Sequence, residues 1–402
     1  MTKNEIMEAI EAQAAERRVG ASLLRDALVH LPQERGFATI VTGVRRCGKS
    51  TLLEQWAAKS KERCVNVLFD DLRLVDFSTD DFQLLGKVLA EKKAKVVILD
   101  EVQDIVGWER FVEGLLVQGY KVMVTGSNAK LLSPELGTKL TGRHLDLRLN
   151  PFSFSEFRRF TKTRSAGLKA VKEYLSVGGF PAFVATRNRK VLEELFNDII
   201  YRELVVRYKL GNATPDRALA AYLMKHIGAK LSPSRLKEAI HVQSRKTVLD
   251  YFGYLTECCL IERLECFAES EKARMLANKK VYACDTGLAG IFEADASGNL
   301  GHKLENVVFH QLKSKGGDLC YFESGDGECD FVRRDGNECE AVQVCWEIDD
   351  DNRKREFDGL VGALKRFGLK SGTIVTANQS DEAVYHGSKI KILPLVSMRF
   401  EV

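Results

Sequence analysis

The segment TIVTGVRRCGKSTLLEQW, residues 39–56, narrows the choice of folds more than any other part of the chain. A short apolar run enters Gly43, and a helix-forming stretch leaves from Lys49. Gly43-Val44-Arg45-Arg46-Cys47-Gly48-Lys49-Ser50 satisfies G-x-x-x-x-G-K-[ST] without a mismatch, between a strand expected at 38–42 and a helix at 50–59. Glycines here let the backbone curl until successive N–H groups converge on one point. The start of the helix adds the positive end of its dipole. Residues Gly43, Val44, Arg45, Arg46, Cys47, Gly48, Lys49, Ser50 and Thr51 therefore read as a phosphate cradle. Lys49 would reach the β- and γ-phosphates and the Ser50 hydroxyl would ligate Mg2+, so ATP and Mg2+ are the expected ligands.

The strand-then-helix rhythm repeats at CVNVLFD, KVVILDE and KVMVTGS. Short unbroken Val/Ile/Leu runs between helices predict a buried parallel sheet with helices on both faces. The second of these runs ends in Asp100-Glu101. Asp100 is placed to hold the metal and Glu101 to polarise an attacking water; without the phosphate loop, a helix cap would be the better reading of such a pair. The third ends in Thr125-Gly126-Ser127-Asn128, where Asn128 or Ser127 could hold the lytic water or the γ-phosphate, or simply close an Asx turn. Arg143, in TGR, is the candidate for an arginine that completes a neighbouring subunit's site, with a surface ion pair as the alternative.

At 402 residues the chain exceeds what one core supports. Composition and pattern divide it into N-terminal helices (1–35), the P-loop core (36–150), a helical segment (151–212), a helix-turn-helix segment (213–292) and a second α/β domain (293–402). None of the ten cysteines forms a CxxC pair, and a net charge of +4 permits a nucleic-acid partner without requiring one. The amphipathic start is unlike a signal peptide, and no apolar run approaches the ~20 residues of a membrane span. A cytoplasmic, reduced protein without a membrane partner is the expectation.

In the helix-turn-helix segment, Ser232 can cap a helix that has Pro233 in its first turn. A second helix from about Ser244 would present Gln243, Ser244, Arg245 and Lys246 at its start, where base contacts are made if it enters a groove. IERLECF and KKVYACD read as wing strands, with Lys272, Arg274, Lys279 and Lys280 as phosphate contacts. Packing against neighbouring protein is the other use of such a module.

Taken in order, GVRRCGKSTLL, VVILDEVQD, VMVTGSNAKLLSPELGTKLTGRH, LNPFSFSEF, GGFP, KVYACDTGL, LENVVFHQL and ECDFV resemble one family over roughly residues 20–400. It is the archaeal and bacterial AAA-type ATPases whose C-terminal half contains a restriction-endonuclease-like fold. The resemblance implies a multidomain α/β protein: an AAA+ core, a helical lid carrying GGFP, a winged helix and a nuclease-like domain. It supports Arg143 as a finger and implies kinship with NTPases used as signalling switches; an oligomeric ring is the expected assembly. In the nuclease-like fold, a Glu from a helix, an Asp from a strand and an E-x-K on the next strand serve metal-dependent cleavage. Here Glu305 and Asp330 match, Gln343 stands for the second acid and Cys345 for the lysine. The site therefore reads as vestigial unless Lys303 or Lys313 replaces the missing charge; the carboxylates could also be a plain helix-start and hairpin pair. The functional expectation is an ATP-hydrolysing ring that remodels duplex or branched DNA. A nucleotide switch acting through protein partners is the alternative, and an ATP-dependent nuclease is a third.

Overall fold

The computed structural model describes residues 1–17, 22–128, 131, 140, 142–165, 167–211, 214–240, 242, 244–293, 299–325 and 327–398. The chain forms two compact units, one of Met1–Asn150 with Glu257–Cys259 and one of Pro151–Thr256 with Leu260–Val402.

In the first unit, strands β1 (Ala38–Thr42), β2 (Cys64–Leu68), β3 (Val96–Asp100), β4 (Lys121–Gly126) and β5 (His144–Arg148) form one parallel sheet in the order β2-β3-β4-β1-β5. Every residue of β1 and β3 is buried, as continuous apolar strands in a parallel sheet must be. Helices α1 (Lys3–Glu16), α2 (Lys49–Lys59), α3 (Phe82–Glu91) and α4 (Trp108–Val117) supply its cover. Ile6, Ala9 and Ile10 of α1 share a core with Val67, Leu85, Leu99 and Val112. Thr2 and Glu5 form a capping box at the start of α1. Farther along, the Gln13 amide donates to the Leu68 carbonyl (2.9 Å) and accepts its N–H (3.0 Å), closing the open edge of β2. The helix expected after β4 lies outside the described residues.

The second unit begins with helices, among them Phe154–Phe160, Leu168–Val177 and Lys190–Asp198. Among the described residues its sheet has nine strands: β6 (Lys230–Leu231), β7 (Ile261–Cys266), β8 (Lys279–Ala283), β9 (Asp318–Ser324), β10 (Gly327–Asp335), β11 (Glu338–Val344), β12 (Ser371–Thr376), β13 (Asp381–Tyr385) and β14 (Ser388–Pro394). The order is β13-β14-β12-β11-β10-β9-β7-β8-β6. The segments 213–292 and 293–402 thus share one sheet, joined where Glu265-Cys266 of β7 run parallel to Cys320-Tyr321 of β9. Ser232 caps the helix Pro233–Ala239, and the helix Arg245–Glu257 follows. Phe357, Leu360 and Leu364 of the helix Arg353–Phe367 pack over β10–β12 in the C-terminal core. Among the described residues no helix is long and apolar enough to cross a membrane.

Candidate functional site

The phosphate loop leaves the C-terminal end of β1, between β4 and β5, where open parallel sheets bind ligands. Its backbone visits the left-handed region at Arg46 (φ 63°) and Gly48 (φ 106°). Gly43 (φ 149°) passes so close to β5 that a Cβ there would lie 2.1 Å from the Leu149 carbonyl oxygen. Lys49 is 4% exposed, and its ammonium donates to the carbonyls of Gly43 (3.1 Å) and Val44 (3.3 Å), 3.4 Å from Glu101 Oε1. Burial works against the Lys49 charge, but the surrounding acidic groups, Glu101 foremost with Cys47 and Asp100, together outweigh it, and the ammonium is held above its ordinary range. Conversely, burial would raise the Glu101 carboxyl, but Lys49 and the amide of Gln103 (2.8 Å) bring it below its usual value.

Asp100 ends β3, 3% exposed, and Glu101 follows it in a left-handed conformation (φ 55°) that turns the chain sharply. Thr125, the penultimate residue of β4 and fully buried, joins the two: its hydroxyl donates to Asp100 Oδ1 and accepts the Glu101 N–H at 3.1 Å. Burial raises the Asp100 carboxyl, against the hydroxyls of Thr125 and Ser50 that hydrogen-bond to it. Ser50 and Asp100 therefore present hard oxygen donors side by side, a set that suits Mg2+. A cleft of about 310 Å³ opens beside them, bordered by Gln13, Glu16, Arg17 and Glu54.

Sequence reasoning passed over two residues of this site. Thr125 is overshadowed in the sequence by the polar residues Ser127 and Asn128 that follow it. Arg25 gives no local signal, being 22 residues from the loop carbonyl it holds. Its buried guanidinium donates to the Cys47 carbonyl (2.8 Å) and the Asn150 carbonyl (2.7 Å), tying the loop to the chain after β5. Cys47 is fully buried, its thiol pushed up by burial and donating to Leu149. Arg45 pairs with Asp70 at 3.0 Å, whereas Arg46 is exposed. Asn128 is buried just past β4. Arg143 is elsewhere: it precedes β5, and its carbonyl accepts the N–H of Ala38 at the start of β1 (3.0 Å). A strand's length, about 3.3 Å per residue, separates that edge of the sheet from the loop.

In the second unit, Arg245 and Lys246 are exposed at the start of their helix, and Gln243 lies outside the described residues. Two expectations for lysines fail. Lys280 is no phosphate contact: strand alternation turns it inward, where it is 3% exposed, while its neighbour Lys279 pairs with Glu265. Nor do Lys303 and Lys313 enter the carboxylate cluster, because Lys303 pairs with Glu293 and Lys313 with Glu262. The cluster does bring Glu305, Asp330 and Gln343 together. Gln343 Oε1 accepts the Asp330 N–H (3.1 Å), and Lys280 Nζ lies 2.8 Å from Glu305 and 2.7 Å from Asp330. Burial would raise Glu305, but Lys280 and Tyr282 hold it low; burial and the neighbouring Glu305 charge push Asp330 up despite Lys280. Cys345 is buried, and its thiol is pushed up by burial to about 11. The GGFP glycines adjoin another carboxylate: Asp285 accepts the Gly179 N–H at 2.6 Å, and a Cβ at Gly178 would lie 2.2 Å from it.

The loop, the acid pair and the sheet order together describe an AAA-type P-loop ATPase domain, and residues 35–158 match the AAA domain family model. Residues 168–296 match a domain of unknown function, DUF8612. An uncharacterized protein of Methanocaldococcus jannaschii is 31% identical over 367 residues, covering 85% of this chain and 82% of that protein. The chain belongs to the family of that archaeal protein. An uncharacterized protein of Haemophilus influenzae is 27% identical over 349 residues, covering 82% of this chain and 87% of that one. Slighter likenesses join it to two solved structures. One is a signal-transduction (STAND) ATPase with a tetratricopeptide-repeat sensor from Pyrococcus horikoshii, 15% identical with a TM-score of 0.30 over 75% of this chain and 46% of that chain. The other is Cdc6p from Pyrobaculum aerophilum, 12% identical with a TM-score of 0.27 over 68% of this chain and 88% of that chain. At such scores neither bears on function.

Proposed function

We propose that the protein hydrolyses ATP and couples the cycle to remodelling DNA, duplex or branched, as an oligomeric ring. The observation that carries the catalytic part is the linked set Lys49–Glu101–Thr125–Asp100, in which Lys49, Asp100 and Thr125 are buried, Glu101 is partly buried, and each group is held by the next. Lys49 has two suitors, Glu101 and an incoming triphosphate. When phosphates take the ammonium, Glu101 loses its counter-charge and becomes the stronger base toward water. Thr125 fixes both acids, and Gln103 fixes the Glu101 carboxylate. Ser50 and Asp100 would hold Mg2+, which neutralises charge on the phosphate oxygens when bound. Asn128 is the candidate to sense the γ-phosphate. Arg143 lies at the end of the sheet away from its own loop, so any part it has in hydrolysis falls to a second copy of the chain.

The DNA part rests on the second unit. A helix-turn-helix followed by the antiparallel β7 and β8, with β6 on the far side of β8, has the order of a winged helix, and exposed Arg245 and Lys246 open its second helix. The test is phosphate release from ATP by the full chain with and without four-way and linear duplex DNA, alongside DNA binding by fluorescence anisotropy across salt. Stimulated release and a steep salt dependence are expected. ATP hydrolysis with no DNA binding even at low salt would leave the nucleotide-switch reading in its place.

A further inference from the structure

The carboxylates of Glu305, Glu328 and Asp330 come from the helix Leu300–Ser314 and from β10, but the cation among them comes from β8. Lys280 Nζ lies 2.8 Å from Glu305 Oε1, 2.6 Å from Glu328 Oε1 and 2.7 Å from Asp330 Oδ1. The acids have further partners. Glu305 Oε1 accepts the Tyr282 hydroxyl at 2.7 Å, and Glu305 Oε2 is 3.4 Å from His302 Nδ1. Glu328 Oε2 pairs with Lys230, and Asp330 Oδ2 accepts the Val344 N–H at 2.9 Å. Gln343 does not point a free carbonyl at the cluster: its Oε1 is spent on the Asp330 N–H and its amide donates to Glu356 at 2.7 Å.

A divalent ion would need oxygens from several of these groups at about 2.0–2.6 Å. The ammonium already faces one oxygen of each acid, and two cations in that buried volume would repel with little screening. The residues implied for a metal-dependent nuclease thus do not fit that use. We propose that Lys280 is the resident cation of this cluster: the C-terminal fold takes no divalent metal at Glu305, Asp330 and Gln343, and the cluster serves instead as a joint that pins β8 to the C-terminal strands. The strand register supports this. Lys230 of β6 lies opposite Lys280 of β8, a like-charge pair offset by Glu328, which binds both, with Glu323 on Lys230 and Glu305 and Asp330 on Lys280. The inference is independent of the nucleotide site and of DNA binding.

The test compares the wild-type full chain, Lys280→Ala and Lys280→Ala/Asp330→Asn for Mn2+ binding by electron paramagnetic resonance, without nucleotide. Lys280→Ala should gain one site at least tenfold tighter than any in the wild type, and the double variant should lose it. In parallel, Fe2+ with ascorbate should leave the wild-type backbone uncut around residues 305 and 330. Wild-type cleavage there, or a folded Lys280→Ala variant with no gained Mn2+ site, would overturn the proposal. The cleavage arm decides the matter if Lys280→Ala does not fold.

Discussion

Replacing Thr125 with Val keeps the shape and the strand preference of the residue and removes only its hydroxyl. That hydroxyl makes two bonds inside a fully buried site, one to the Asp100 carboxylate and one from the Glu101 N–H at 3.1 Å. A hydrogen bond to a charged group contributes about 1.5–3 kcal/mol, and a buried N–H left without an acceptor costs about 1–3 kcal/mol. The two losses share one atom and will not add fully, so Thr125→Val should destabilise the first unit by about 2–4 kcal/mol. Catalysis should suffer separately. Without the Thr125 hydroxyl, burial raises the Asp100 carboxyl further, and the Glu101 turn loses its anchor. If about half of the lost energy is expressed in the transition state, phosphate release at saturating ATP should fall about fivefold to thirtyfold, since ~1.4 kcal/mol is a factor of ten. Urea titration and a phosphate-release assay measure the two effects, and Thr125→Ser, which retains the hydroxyl, should recover most of both. Unchanged urea midpoint and turnover in Thr125→Val would refute the assignment of Thr125 as the link between the acids.

Gly43→Ala should abolish nucleotide binding and lower stability by at least about 2 kcal/mol, measured by nucleotide fluorescence and urea titration, because the new Cβ meets the Leu149 carbonyl at 2.1 Å on a backbone at φ 149°. Asp216 is fully buried with no hydrogen-bond partner for either oxygen among the described residues, and burial pushes its carboxyl up to about 6. The folded state therefore keeps the proton while the unfolded chain, near 3.9, loses it. Its contribution is most favourable below about pH 4 and declines by about 1–3 kcal/mol as pH rises through 6. Asp216→Asn should be the more stable protein at pH 7.5 and lose that advantage at pH 4.5; a difference constant across pH would exclude the effect. For DNA, the exposed Arg245, Lys246, Lys272 and Arg274 predict a log–log salt slope of roughly −3 to −4, and the double change Arg245→Ala/Lys246→Ala should flatten it by about 2.

The parallel sheet and the phosphate loop were legible because apolar runs, glycines and the lysine lie within one short segment whose spacing encodes the chemistry. The acid pair was legible for the same reason. Contacts between distant segments were not. Arg25 reaches Cys47 and Asn150 through tertiary structure, and no local pattern marks it. Lys280 looked like a wing cation because a sequence shows the charge and not the side of the strand; one residue's difference in register separates it from the surface-paired Lys279. Strand β13 also escaped notice, since an edge strand reading Asp-Glu-Ala-Val-Tyr, with no residue fully buried, has no apolar signal to give. Gln343 and Cys345 raise doubt about cleavage in the sequence, but Lys280, the residue set between Glu305 and Asp330, comes from a strand outside the motif.

The most direct test of the central claim is one measurement on Glu101→Gln: ATP affinity and phosphate release, side by side with the wild type and with Mg2+ present. The substitution removes the base and also removes the carboxylate that competes for Lys49. The account predicts that the variant binds ATP at least as tightly as the wild type and releases phosphate at least a hundredfold more slowly, in line with the ~10²–10⁴ of general-base catalysis. Phosphate release at the wild-type rate by Glu101→Gln, or a wild-type chain that binds no ATP, would contradict it.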